Sequence, residues 1–208
     1  SKLRVVHNAV DTARFRPDAG RRAATRASLG LGGEFVWLAV GRLMWKKDYP
    51  AMLKAFARTR GGVLLIAGDG PDRQELERLA ARLKAPVRFL GVRRDVPALM
   101  NAADAFVMSS VLEGLPLALV EAAASGLPCV AARVGGIAEI VLDGRTGWLV
   151  PAADEEALAA AMLRLSALEI ADRMRMGQEA REHAERNFSL EAAASRWERL
   201  YQELLDRS

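Results

Sequence analysis

The chain has 208 residues, 51% of them hydrophobic, and a net charge of +4 from 30 basic and 26 acidic side chains. That is ample apolar material for one packed domain, and its charge is scattered rather than blocked, which points away from nucleic acid and toward a small anionic ligand. Cys129 is the only cysteine, so an intramolecular disulfide is excluded, and with His7 and His183 alone to join it so is a Cys/His metal cluster. No run approaches the ~18 apolar residues of a membrane span, and the first 30 residues are too charged for a secretory signal, so the expectation is a soluble, cytoplasmic chain.

In chain order, runs rich in Val, Leu, Ile and Ala occur at residues 3–6, 35–40, 63–67, 87–90, 105–108 and 128–132. They lack polar alternation, which is the pattern of strands buried on both faces of a parallel sheet. Segments of helical period lie between them, at 51–59 and at 72–83, where Leu76, Leu79, Ala80 and Leu83 share a face. The alternation predicts a single α/β domain over 1–208, a Rossmann-like doubly wound parallel sheet of about six strands with helices on both faces. Residues 143–147 predict a turn before the short apolar run 148–150. Beyond Val150 only helices are predicted, at 154–165, 169–187 and 189–206, with Asp154 and Ser189 as N-caps. The last carries Trp197, Leu200, Tyr201 and Leu204 at i, i+3, i+4 and i+7, a stripe that either packs into the core or serves a partner domain.

Ligands of an open parallel sheet bind at the carboxyl ends of its strands. After Val40 stands GRLMWKKDYP, where Gly41 lets the backbone turn closely, Arg42 offers a planar fork to phosphate oxygens, and Lys46 and Lys47 offer point charges. The 30 basic residues include only five lysines, so two side by side suggest a need for compact charge; the plain alternative is a solvated loop. After Ala67, Gly68-Asp69-Gly70-Pro71-Asp72 fails as a dinucleotide fingerprint because Arg73 stands at the third glycine, leaving Asp69 as a turn residue and Asp72 as a cap. After Leu90, the turn at Val92 could meet a flat ring, with Asp95 capping the next helix. His7, Asn8 and Asp11 end the first predicted strand and pin a turn.

After Met108 comes SSVLEGLPLALVEAAASGLP. Pro116 predicts a helix beginning near Leu117, whose free N–H groups and dipole suit a diphosphate. Glu113 lies in the loop before that helix and Glu121 one turn inside it. Carboxylates repel phosphate but accept from hydroxyls, so the pair could clasp a sugar and a ribose; the other reading is a surface Glu113 and a Glu121 favoured by the dipole. Glu139, after Gly135 and Gly136, could support the site or simply cap.

In order, and over nearly the whole chain, HNAVDTARFRP, GRLMWKKDYP, LLIAGDGP, VRFLGVRRDVPALMNAADAFVMSS, EGLPLALVEAAASGLPCVAARVGGIAEIV and DGRTGWLVP resemble the carboxy-terminal domain of retaining GT-B fold glycosyltransferases, family 4 (glycosyl transferases group 1). The resemblance implies a donor-binding domain whose parent enzyme moves a hexosyl group from a UDP-, GDP- or ADP-sugar to a glycan or lipid-linked acceptor, with retention. It implies that Arg42, Lys47, Gly41 and the amide at Leu117 hold the diphosphate, that Glu113 is the catalytic glutamate at the sugar, that Glu121 takes the ribose diol, and that Val92 lies beside the base. It further implies no cofactor and no metal, in keeping with the lack of an Asp-x-Asp motif. The acceptor-binding amino-terminal domain is absent from this chain on that reading, so the isolated domain is expected to be inactive, and the full-length enzyme to sit in the cytoplasm, peripheral to the inner face of the membrane. Asp48 departs from the pattern, standing where glycine is frequent. A degenerate nucleotide-binding or interaction module is the alternative.

Overall fold

Residues 4–59 and 61–206 are described by a computed structural model. Six strands, β1 (Val36–Val40), β2 (Val63–Ala67), β3 (Val87–Gly91), β4 (Ala105–Met108), β5 (Cys129–Ala132) and β6 (Gly147–Val150), form one sheet in the order β3-β2-β1-β4-β5-β6. All of its pairings are parallel. Nine helices are found among the described residues: α1 (Ala19–Ser28), α2 (Tyr49–Ala57), α3 (Arg73–Leu83), α4 (Val96–Ala102), α5 (Leu117–Ala124), α6 (Ile137–Ile140), α7 (Glu155–Ser166), α8 (Ile170–Phe188) and α9 (Leu190–Leu205).

Successive strand residues point to opposite faces, and the core divides accordingly. Val36 and Leu38 of β1 join Phe106, Leu119, Val120 and Ala184 on the side of α4, α5 and α8. Trp37 and Ala39 join Met52, Phe56, Leu76, Leu158 and Met162 on the side of α2, α3 and α7. Both faces of the inner strands are therefore covered, which is why they show no polar alternation, whereas the edge strand β3 is only partly buried and exposes Arg88. The two halves of the sheet meet where β1 pairs β4, through Trp37↔Ala105 and Leu38↔Phe106 alone, whereas β1 and β2 pair over their full lengths.

The six-strand count stands, with a different membership. Residues 4–6 form no strand, and residue 3 lies outside the described residues. The run has no strand to pair with: Val5 is largely exposed, and the nearest bridge joins Val10 to Ser189. The short run at 148–150 instead supplies β6, which pairs with β5.

Asp154 and Ser189 cap as expected, accepting from the amides of Ala157 (2.9 Å) and Ala192 (3.1 Å). Asp72 and Asp95 occupy cap positions, but neither side chain caps. Asp95 instead forms a two-pronged ion pair with Arg93, at 2.7 and 2.6 Å. Asp69 does serve its turn, accepting from the Gly70 amide at 2.7 Å. Helix α1 has little apolar surface; it docks through Arg22 and Arg26, which donate to the Asp104 carboxylate at 2.7 and 3.4 Å. The stripe on α9 does not pack into the core: Trp197, Tyr201 and Leu204 are exposed, and no residue of α9 is buried.

Candidate functional site

The strand order reverses direction between β1 and β4, so the loops leaving their carboxyl ends diverge and open a crevice. On the β1 side, the backbone is tied down by the second loop: the Gly41 amide donates to Ala67 O (3.0 Å) and the Leu43 amide to Asp69 O (2.9 Å). The contact is so close that a Cβ on Gly68, at φ +147°, would lie 1.9 Å from Gly41 O. The chain then makes a short 3-10 turn, Trp45–Lys47, and leaves it at Asp48 in the left-handed region, φ +45°. Asp48 thus takes the backbone conformation that glycine would take, and its carboxylate also accepts from the Ala51 amide to cap α2. The departure from the family pattern is accommodated locally.

The β4 loop grips this turn. Ser109 Oγ lies 2.7 Å from Lys47 O and 2.8 Å from Asp48 O, sharing its proton between them, and the Val111 amide donates to Lys46 O at 2.9 Å. Lys47 Nζ consequently reaches Glu113 Oε1, at 2.6 Å. The two side chains are 22% and 11% exposed, so the pair is partly withdrawn from water. Lys46 lies over the Trp45 ring, so of the two adjacent lysines it is Lys47 that meets Glu113. Beneath them the buried Tyr49 hydroxyl donates to Gly41 O at 3.3 Å, and burial, with the Glu113 charge adding, pushes its phenol up. Glu113 is backed by Gly135, at φ +50°, where any Cβ would strike Glu113 O, while the Gly136 amide donates to Gly114 O at 2.7 Å.

Helix α5 starts with Pro116 at the cap and no side-chain bond there. Its first amides, at Leu117 and Ala118, make no hydrogen bond among the described residues, as the first amides of a helix are left free for an acceptor, and Leu117 is 42% exposed. Glu121 is half-buried on the same helix, with no hydrogen-bonded or ion-paired side-chain partner among the described residues. Burial raises its pKa, and Arg14, from the segment before α1, pulls the other way. Arg42 is exposed and also lacks a partner among the described residues. Val92 is 77% exposed after Gly91, which turns the chain at φ +68°. The structure therefore joins Gly41, Lys47 and Glu113 directly, sets Leu117 and Glu121 on the adjoining helix, and leaves Arg42 and Val92 on loops at the same end of the sheet, with no side-chain hydrogen bond or ion pair to the others among the described residues. Ser109, Tyr49 and Arg14 were not singled out from the sequence; nothing marks Ser109, whereas Tyr49 stands two residues from Lys47.

His7 does not pin a backbone turn. Its Nε2 lies 3.0 Å from Glu139 Oε2, while Asp11 alone holds the turn, accepting from the amides of Ala13 and Arg14. Glu139 thereby ties the segment before α1 to the glycine pair behind Glu113. Among the described residues no three His, Cys, Asp or Glu side chains gather as metal ligands would. No helix among them is long and apolar enough to cross a membrane. Cys129 is buried, and its thiol is pushed up to about 12.

Residues 34–167 match the family described as "Glycosyl transferases group 1". The chain belongs to the group 1 glycosyl transferases. Among curated members it is 36% identical over 168 residues to a GDP-mannose-dependent alpha-(1-6)-phosphatidylinositol monomannoside mannosyltransferase of Mycolicibacterium smegmatis, covering 74% of this chain and 44% of that protein. It is 38% identical to a D-inositol 3-phosphate glycosyltransferase of Saccharomonospora viridis, over 98% of this chain and 49% of that protein. The crystal structure of Anabaena Alr3699/HepE in complex with UDP and glucose superposes with a TM-score of 0.89 at 25% identity, over 96% of this chain and 57% of the other. This group 1 chain thus spans about half the length of the curated relatives it matches. Its sheet, its flanking helices and its helical carboxy-terminal region are those of a GT-B glycosyltransferase domain.

The desolvated Glu121 makes a pH-dependent prediction. Its folded pKa lies above the usual 4.5, so between those two values the folded state holds more protons than the unfolded state, and stability falls as pH rises. Above the folded value the cost is constant. Glu121→Gln is therefore expected to melt higher than the native chain at pH 7 without ligand, with the difference closing as pH falls below about 4.5. Calorimetric melting across pH 4 to 8 checks it, and a variant that melts lower at pH 7 would refute the desolvation argument.

Proposed function

We propose that this chain is the donor-binding half of a retaining hexosyltransferase, holding a nucleoside diphosphate sugar in the crevice between the β1 and β4 loops. The observation that carries this is the Lys47–Glu113 pair, set at the strand-order switch beside the uncapped start of α5. Lys47 and Arg42 would take the diphosphate with the amides at Gly41 and Leu117, Glu113 the hexosyl hydroxyls, Glu121 the ribose diol, and the turn at Val92 the base. These are the groups each part of the donor needs: cations and N–H dipoles for phosphate, acceptor-only carboxylates for diols. As the glycosidic bond breaks, charge grows on the departing diphosphate, where Lys47, Arg42 and the α5 dipole oppose it without calling on a divalent cation. Retention on this reading proceeds by front-side attack of the acceptor hydroxyl on an oxocarbenium-like centre.

Two kinds of relative support the reading: one is named for GDP-mannose and a lipid-linked acceptor, and one is solved with UDP and glucose. The acceptor, a glycan or lipid-linked molecule, would be held by a further domain, in keeping with the half-length match. On the same reading the isolated chain binds donor without transferring it, and the whole enzyme works in the cytoplasm at the inner face of the membrane. A thermal-shift panel of UDP, GDP and ADP tests the core of the proposal. A ligand at about a hundred times its Kd adds about 2.7 kcal/mol, which for a domain of this size corresponds to roughly 5–10 °C. One of the three is expected to reach that shift; silence from all three at millimolar concentration would sink the reading.

A further inference from the structure

We propose that the Lys47–Glu113 ion pair makes the site discriminate an intact nucleotide sugar from the bare nucleoside diphosphate left after transfer. The inference rests on the donor-site reading above and concerns how that site chooses between substrate and product. Lys47 Nζ donates to Glu113 Oε1 at 2.6 Å, and the Glu113 carboxylate has no other hydrogen-bond partner among the described residues. The pair is held in register rather than formed by chance between flexible side chains. Ser109 clamps the carbonyls of Lys47 and Asp48, Val111 clamps that of Lys46, and the glycine pair at 135–136 packs directly on the backbone of Glu113 and Gly114.

A bare diphosphate that recruits Lys47 takes away the sole cation of a carboxylate that is 11% exposed, and brings more negative charge toward it. An unmade bond at a desolvated carboxylate is costly, more so than the bond's net worth when made. The intact donor avoids this, because the hexosyl ring brings O–H donors to Glu113 at the moment the diphosphate takes Lys47. Glu113 thus reads the presence of the sugar, and the spent nucleotide is disfavoured as soon as the sugar has gone.

The test is calorimetric titration of this chain with whichever of UDP, GDP or ADP the panel selects, and with UDP-glucose, GDP-mannose or ADP-glucose to match. In Glu113→Gln the neutral amide releases Lys47, so the bare diphosphate is expected to bind ~3–10-fold tighter than to the native chain, about the net worth of one hydrogen bond. The nucleotide sugar is expected to gain less or to lose affinity, so that the preference for it falls by about tenfold. Glu113→Asp, which keeps the charge but shortens its reach, should shift the bare diphosphate in the same direction and by less, and it serves if the amide variant fails to fold. Adding Lys47→Met to Glu113→Gln should erase the gain. A bare diphosphate that binds the native chain but binds Glu113→Gln equally or more weakly overturns this inference alone; absence of nucleotide binding by the native chain overturns it together with the donor-site reading.

Discussion

Lys47→Ala is expected to weaken nucleoside diphosphate binding on the order of 10- to 100-fold while leaving the fold in place. Two losses combine. The ammonium contributes a charge-assisted bond to phosphate of about 1.5–3 kcal/mol. Its removal also leaves the Glu113 carboxylate, otherwise paired at 2.6 Å, unneutralised where the proposed donor site would place the diphosphate. Lys46 cannot substitute, because its backbone is held by Val111 and its ammonium lies over Trp45. Lys46→Ala is accordingly the internal control, with binding within about twofold of the native chain, as for a partly exposed charge with no ion pair among the described residues. Equal losses in the two variants, measured by calorimetric titration, would mean that the site needs diffuse positive charge rather than this geometry.

Gly68→Ala is expected to lower the melting temperature by roughly 6–12 °C, the shift that about 3 kcal/mol produces in a domain of this size. The added Cβ would lie 1.9 Å from Gly41 O, and φ +147° is a conformation that side chains resist. The clash cannot be relieved by a rotamer, since both parties are backbone. Neither can shift cheaply: the Gly41 amide is bonded to Ala67 O at 3.0 Å and the Gly68 amide to Gly91 O at 2.8 Å. Because Gly41 also lies against Lys47, any surviving fold should bind the diphosphate more weakly. A variant melting within about 2 °C of the native chain would show that the two loops are less tightly knit than their geometry implies.

The fold class could be read from the sequence because strands covered on both faces are apolar throughout, and a parallel sheet is the architecture that covers both faces. The caps Asp154 and Ser189 were legible because capping is local, acting on an amide three residues ahead. What escaped was non-local. Helix α1 shows no apolar stripe, since its anchor is Asp104, some 82 positions from Arg22. Residues 4–6 have the composition of a strand, but a strand exists only where a neighbour offers its edge, and composition does not report neighbours. The site divides in the same way. Glu113, Glu121, Arg42 and the Lys46–Lys47 pair could be named as candidates from their places after strands and at a helix start, while the preference for Lys47 comes from the family resemblance. That Lys47 and Glu113 would be bonded across 66 positions could not, because it depends on Ser109 and Val111 aligning two loops. Adjacent lysines also look alike in sequence, and only the 3-10 turn sends one inward and the other out.

The narrow junction between β1 and β4, only two residue pairs long, has a mechanical consequence. It is the seam between the two halves of the sheet, and it lies below the crevice whose opposite lips carry Lys47 and Glu113. The ion pair crosses this seam above its shortest strand register, beside the Ser109 and Val111 bonds that also join the two loops. Parting Lys47 from Glu113 leaves those backbone ties in place, so the crevice can exchange its charges without opening the sheet.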